Sequence, residues 1–219
     1  MNPYSLSVDY SDTQPSLALN RLEGEKIGAL VAETLASDHA LETMLPSIDE
    51  LLTKFGLGLI DIGLFVTTSG PGSFTGLRSS YASLKALARV HGQTILAVAC
   101  DEVRALSWIE MTGRNENVLL ATQMGKTKAV LSTYRIGEGI VSRALIESTA
   151  NLATPILTNE TILFGVTADN RSLIHHPSRA SDSARYASRA KSRILAKGAI
   201  EIATLEPDYY GDKWAHPSK

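Results

Sequence analysis

The stretch Ser69-Gly70-Pro71-Gly72-Ser73-Phe74-Thr75-Gly76-Leu77-Arg78 is where this chain carries its most unusual spacing of chemically useful residues. Gly70 and Gly72 let the backbone turn sharply, Pro71 fixes one dihedral, and Ser73 or Thr75 can cap the orphan amides of a helix. A helix N-terminus reached through glycines can hold an anion. The string is not a Walker loop, because the Gly-Lys-Ser/Thr ending is missing and no lysine stands where a phosphate needs one. From the residues alone, a plain strand-to-helix turn comes first and an anion site second.

Other reactive side chains are poorly placed for chemistry. His39 is followed four residues later by Thr43, so a two-histidine helical metal site is incomplete. His175 and His176 are adjacent, a spacing that points their rings apart. No Gly-x-Ser-x-Gly elbow anchors a hydrolase triad. The single cysteine, Cys100, lies in an apolar setting and reads as a buried reduced thiol. A metal centre and a catalytic residue are therefore not expected. Between positions 171 and 193, Arg171, Arg179, Arg185, Arg189, Lys191 and Arg193 stand against the acid Asp182. A solvated helix face is the first reading of that run, and contact with phosphates or an acidic partner the second.

The elements that must position these residues follow from periodicity. Strands are expected at Tyr4 to Val8, Ser16 to Leu19 and Lys26 to Ala32, then a helix from His39 to Phe55 with an apolar stripe through Leu41, Met44, Leu45, Ile48, Leu51, Leu52 and Phe55. Pro46 within it predicts a kink or a late start. A strand at Leu64 to Thr67, a helix at Thr75 to His91, a buried strand at Thr94 to Ala99 and a helix at Asp101 to Met111 complete a first lobe. The polar run Thr112 to Asn117 is the natural break. Strands at Val118 to Thr122, Lys128 to Tyr134, Gly139 to Ile146 and Thr161 to Val166 then restart the pattern, with a helix at Ser181 to Lys197. The expected architecture is α/β, with βββαβα order and mixed sheets in two lobes, residues 1–111 and 112–219.

On the helix after the glycine string, Leu77, Tyr81, Leu84 and Ala88 form the core side, and Arg78, Lys85 and Arg89 a basic flank. Opposite the core lies a strip of small residues, Ser79, Ala82, Ser83 and Ala86, ending at Val90. Such a strip suggests close approach of another helix, from the same chain or from another.

Composition fits an ordinary globular chain. The 219 residues are 44% hydrophobic and 20% charged, with a formal charge of -2. That excludes a collagen-like chain, a disulfide scaffold and a globally basic nucleic-acid binder. The N-terminus shows no secretory pattern and no apolar run is long enough to span a membrane, so a cytoplasmic location is expected.

Gly70-Pro71-Gly72-Ser73-Phe74-Thr75-Gly76-Leu77-Arg78 resembles the signature of the TsaB (YeaZ) family, the bacterial paralogue of the TsaD proteins that help make threonylcarbamoyladenosine in tRNA. Leu6-Ser7-Val8-Asp9 with Ser16-Leu17-Ala18-Leu19 is similar to the family's opening hairpin. The helix running from His39 through Leu45-Pro46 to Leu51-Leu52 is similar to its first helix, and Glu206-Pro207-Asp208-Tyr209-Tyr210 to its closing Pro-x-Tyr segment. The resemblance implies an actin-like two-lobed fold, shared with acetate kinase, heat-shock chaperones and actin. It also implies a non-catalytic subunit that pairs with TsaD, is joined by the ATPase TsaE, forms a homodimer when TsaD is absent, and meets tRNA only through the complex. Contact through the first-lobe helices would use Ser79, Ala82, Ser83 and Ala86, with Met44 on the preceding helix.

The sequence departs from that family at several points. Ser79-Ser80 replace Ile-Gly, Gln123-Met124-Gly125 replace Asp-Ala-Arg, and Gly165-Val166-Thr167 replace a Gly-Asp/Asn-Gly turn. The phosphate loop of actin-like kinases, Asp-x-Gly-x-Thr, here reads Asp9-Tyr10-Ser11-Asp12-Thr13, with Ser11 where a glycine would admit a phosphate. Asp9, Ser11, Gly72 and Ser73 are the residues that could touch a nucleotide, and ATP binding is expected to be weak or absent. The rival readings are an actin-like small-molecule kinase and a metallopeptidase, as the older glycoprotease label of the wider family would have it.

Overall fold

A computed structural model describes residues 3–11, 15–23, 26–35, 40–113, 118–124, 128–135, 138–146, 161–164 and 206–208. Strands β1 (Tyr4–Asp9), β2 (Ser16–Glu23) and β3 (Lys26–Leu35) form an antiparallel meander. Helix α1 (Ala40–Lys54), a 3-10 turn (Leu59–Asp61), β4 (Ile62–Gly70), α2 (Phe74–His91), β5 (Thr94–Ala99) and α3 (Cys100–Thr112) follow. β4 pairs in parallel with β1, and β5 in parallel with β4, giving the order β3-β2-β1-β4-β5. Helix α2 spans the β4-to-β5 crossover, because a tight turn cannot lay two strands side by side in parallel.

A second sheet holds β6 (Val118–Met124), β7 (Lys128–Arg135), β8 (Gly139–Ile146) and β9 (Thr161–Phe164) in the order β8-β7-β6-β9. It repeats the plan of the first, since β6, β7 and β8 form a meander and β9 joins β6 in parallel. The expected doubling of element order is thus a doubling of sheet topology.

Alternation along β1 explains how the first sheet is covered on both faces. Leu6 and Val8 pack with Leu17, Leu19, Phe65 and the inner sides of α1 and α2, whereas Ser5, Ser7 and Asp9 occupy the alternate positions. Leu64, Val66, Leu96 and Val98 make a second cluster with Val103 of α3. One turn further along α3, Ala105 and Trp108 pack with Leu120 and Tyr134 of the second sheet. Helix α3 is therefore a wedge shared by both sheets.

The helix expected at His39 to Phe55 is continuous over Ala40–Lys54 and passes through Pro46, so it does not start late. Its buried stripe is narrower than the sequence suggested. Met44, Ile48, Leu51 and Leu52 are in the core, while Leu45 is 49% and Phe55 40% exposed. The 3-10 turn was not anticipated. Gln93 holds it to the sheet, its Nε2 donating to the carbonyls of Leu59 (2.6 Å) and Ile62 (2.7 Å). The expected helix at 181–197 lies outside the described residues.

Candidate functional site

The glycine string leaves the end of β4 and wraps over the end of β1. Ser73 caps α2, its side-chain oxygen accepting from the Gly76 amide at 3.2 Å. Its own amide donates to the Ser11 carbonyl at 2.7 Å. Two of the glycines are there for proximity. A methyl on Gly72 would lie 2.5 Å from the Ser11 carbonyl oxygen, and one on Gly76 would run into the Tyr10 carbonyl. The loop and the β1 terminus are in backbone contact, which only glycine permits at these two positions.

Beneath the loop is a knot of buried polar groups. Oδ1 of Asp9, a residue 1% exposed, accepts from the Ser11 amide (3.0 Å), the Ser11 hydroxyl (2.7 Å) and the Thr68 hydroxyl (3.1 Å). The Ser11 oxygen also lies 3.1 Å from Sγ of Cys100. A serine hydroxyl has one hydrogen, and here it goes to Asp9, so the thiol is the donor in that contact. Strand ends β1, β4 and β5 thus meet in one hydrogen-bonded cluster, as the cost of burying a carboxylate demands. Tyr10 runs the other way into the first core, with its hydroxyl unpartnered among the described residues. Burial pushes that phenol up to about 12.

A second buried carboxylate, Asp101, follows directly after Cys100 at the start of α3. Arg143 of β8 grips it with two bonds, Nε to Oδ2 at 2.7 Å and a terminal nitrogen to Oδ1 at 2.6 Å. Ser132 of β7 donates to Oδ2 at 2.7 Å and the Glu102 amide to Oδ1 at 3.0 Å. Nearby, buried Arg104 donates to the Thr122 hydroxyl of β6 at 3.1 Å. These bonds fasten the first turns of α3 to the second sheet.

Sequence reasoning brought Asp9, Ser11, Gly72 and Ser73 together, and they do adjoin. It missed Thr68, Asp101, Ser132 and Arg143. Only the placement of Asp101 at a helix start gave any hint, and its partners lie 31 and 42 residues away.

On α2 the expected faces are observed. Leu77, Tyr81, Leu84 and Ala88 are buried, whereas Ala82 and Ala86 are exposed, Ser79 and Ser83 half-buried, and Val90 76% exposed. Met44 does not belong with this strip. It is 1% exposed and sits in the first core, because its position on α1 faces the sheet, so the reading of Met44 as an interface residue is corrected. The outer face of the loop presents Ser73, Phe74, Thr75 and Arg78, with the Arg78 guanidinium 5.2 Å from the centre of the Phe74 ring.

Among the described residues, no group of three or more His, Cys, Asp or Glu is placed to hold a metal ion, and no helix is long and apolar enough to cross a membrane. His39, His175, His176, the basic run from Arg171 to Arg193, Gly125, Gly165 to Thr167 and Tyr209-Tyr210 lie outside the described residues.

Comparison with known proteins gives two findings. The family described as TsaD, tRNA N6-adenosine threonylcarbamoyltransferase, matches residues 25–162. Among solved structures, the chain resembles YeaZ from Pseudomonas aeruginosa, with a TM-score of 0.71 and 19% identity over 94% of this chain and 99% of that one. A protein from the same organism, described as uncharacterized with similarity to peptidase YEAZ, matches with the same score and identity over 95% and 99%. At this identity the likeness is one of fold.

Proposed function

The chain belongs to the TsaD family, and from that membership we propose that it is a non-catalytic subunit of the YeaZ (TsaB) kind, supporting a TsaD transferase in threonylcarbamoyl transfer to the adenosine next to the anticodon of tRNA. The observation that carries this reading is the knot at Asp9. In an open α/β sheet a ligand approaches the carboxyl ends of parallel strands, here β1 and β4. Here the Ser11 amide and hydroxyl and the Thr68 hydroxyl are turned onto Asp9, and Gly72 and Gly76 are pressed against the backbone of Ser11 and Tyr10. A phosphate would meet a buried carboxylate rather than free donors. These residues do not fit ATP.

What the chain retains is surface. The strip of Ala82 and Ala86, flanked by Ser79 and Ser83 and continued by exposed Val90, lets another helix approach closely. On this reading it packs against TsaD, or against a second copy when TsaD is absent, with TsaE and tRNA joining through the assembly. The two-lobe division at residues 111 and 112 belongs to the same proposal, with α3 as the element common to both lobes.

The test is reconstitution of threonylcarbamoylation on tRNA from purified TsaD, TsaE and this chain, supplied with ATP and with the threonylcarbamate adenylate as group donor. Activity should require TsaD and rise with this chain, and this chain alone should give none. Transfer by the chain alone, or ATP-dependent phosphorylation of a small acceptor, would overturn the reading. Ala82→Glu should weaken association more than about tenfold, because the strip would then bury an unpaired carboxylate. It should leave folding unchanged, since Ala82 is exposed in the single chain.

A further inference from the structure

The segment Glu206 to Asp208, far along the sequence from the glycine string, lies directly against it. The Asp208 amide donates to the Ser69 carbonyl at 2.7 Å, at the end of β4 one residue before Gly70. On the same side, the Asp208 carbonyl oxygen occupies the space beside Gly70, 2.7 Å from where a methyl on that residue would sit. Gly70 also has φ +116°, a conformation that side-chain-bearing residues rarely adopt. Two main-chain groups of one residue thus engage two successive residues of the loop. Glu206 and Asp208 themselves are exposed and Pro207 half-buried, so the segment lies on the surface, across the loop.

We infer that residues 206–208 are a strap that holds the glycine loop closed by main-chain recognition, so that the shape of the loop's outer face, with Phe74 and Arg78, depends on a segment remote in sequence. The loop is clamped from two directions. From beneath, the Ser11 carbonyl takes the Ser73 amide, and from outside the Asp208 amide takes the Ser69 carbonyl. Release of the outer clamp frees the Ser69 carbonyl while leaving the Asp9 knot, the Ser69 hydroxyl's bond to the Val98 carbonyl (3.3 Å) and the pairing of Gly70 with Ala99 in place, which makes the strap a separable switch. Any partner that captures the segment around Asp208 would change the loop, and any partner that reads the loop would change the segment's affinity for it, as coupling between sites must be reciprocal.

The strap is read through the backbone, and that makes it testable with one atom. Asp208→Pro removes the amide hydrogen that reaches Ser69, whereas Asp208→Ala keeps it. In the full-length chain, amide hydrogen exchange of peptides covering residues 69–78 should speed up about five- to tenfold in Asp208→Pro and stay within twofold of wild type in Asp208→Ala. Peptides from β1 and from residues 62–68 of β4 should be unchanged in both. Equal exchange in Asp208→Pro and wild type would overturn the strap. Equal acceleration by both variants would overturn main-chain recognition and put the hold in the carboxylate. Should Asp208→Pro fail to fold, the wild-type protein still decides the matter. There the Asp208 amide should be protected and should open together with the loop amides at lower denaturant than Phe65 and Val66, and an Asp208 amide exchanging at the rate of free peptide would refute it. None of these readouts involves TsaD, so they stand apart from the functional reading.

Discussion

Asp9 and Asp101 are both buried carboxylates at the ends of first-lobe elements, and they are put to different uses. The groups around Asp9 come from three adjacent strand ends of one sheet: the Ser11 amide and hydroxyl after β1, the Thr68 hydroxyl of β4 and, through Ser11, the Cys100 thiol after β5. Those around Asp101 come from across the molecule, a two-bond guanidinium from β8 and a hydroxyl from β7. The first cluster closes on itself at the ends of β1 and β4. The second converts the N-terminus of α3 into a fastener between two sheets. Because Cys100 and Asp101 are consecutive, a single helical turn carries both. In both cases the hydrogen bonds that satisfy the acid come from the chain itself, locally at Asp9 and mainly across two sheets at Asp101.

The comparison can be broken most sharply from the loop side. Gly76→Ala would drive a methyl into the Tyr10 carbonyl, a backbone atom that cannot move aside, and should cost more than about 3 kcal/mol, read as a large drop in the urea midpoint. Arg143→Ala attacks the other carboxylate. It leaves Asp101 buried without the guanidinium and should cost about 3 kcal/mol, since the arginine is itself a quarter exposed. Its signature should be distinct, with the second sheet melting apart from the first so that circular dichroism and Trp108 fluorescence, read in a Trp214→Phe background, no longer give coincident transitions. Coincident transitions in that variant would mean that the apolar contacts of Trp108, Leu120 and Tyr134 suffice to couple the sheets.

Two smaller changes sharpen the picture. Thr68→Val removes one hydroxyl from Asp9 while keeping the side chain's shape, and should destabilise by about 1.5 kcal/mol. Tyr10→Phe should be neutral or stabilising by up to about 1 kcal/mol, because it deletes a buried hydroxyl without a partner among the described residues. It should also flatten the alkaline limb of stability. The phenol ionises near pH 10 when unfolded and at about 12 in the folded chain, so the folded state holds the extra proton between those values. Stability is therefore full below pH 10 and falls as the pH rises toward 12. An unchanged alkaline slope in the phenylalanine variant would assign that slope to another group.

Much of the fold was legible because it depends on short-range pattern. Alternation in β1 and the three-four spacing of Leu77, Tyr81, Leu84 and Ala88 each report one face of one element. The failures are of a different kind. Leu45 and Phe55 lie on the apolar stripe of α1 yet remain exposed, and Met44 is core rather than surface, because the width of the buried stripe is set by what packs against it. The pairing of Asp101 with Arg143 could not be read from either residue's neighbours. It exists only once two separately formed sheets meet α3. Ser11 was legible as a residue where a phosphate loop wants glycine, but not as the partner of Asp9 and Cys100, since three strand ends must converge before those atoms touch.

The strap at Asp208 also sets an order of events during synthesis. The first sheet has all five strands once Ala99 has emerged, and the loop over Ser11 can form from residues already made. The Ser69 carbonyl nevertheless waits for its partner until translation has passed Asp208, roughly 5–20 s later at ordinary elongation rates. For that interval the loop has its bond to Ser11 and its ties to β5 available but not its outer clamp. A chain still short of Asp208 therefore carries the glycine loop in its unstrapped form, and a chain extended past it in the strapped one.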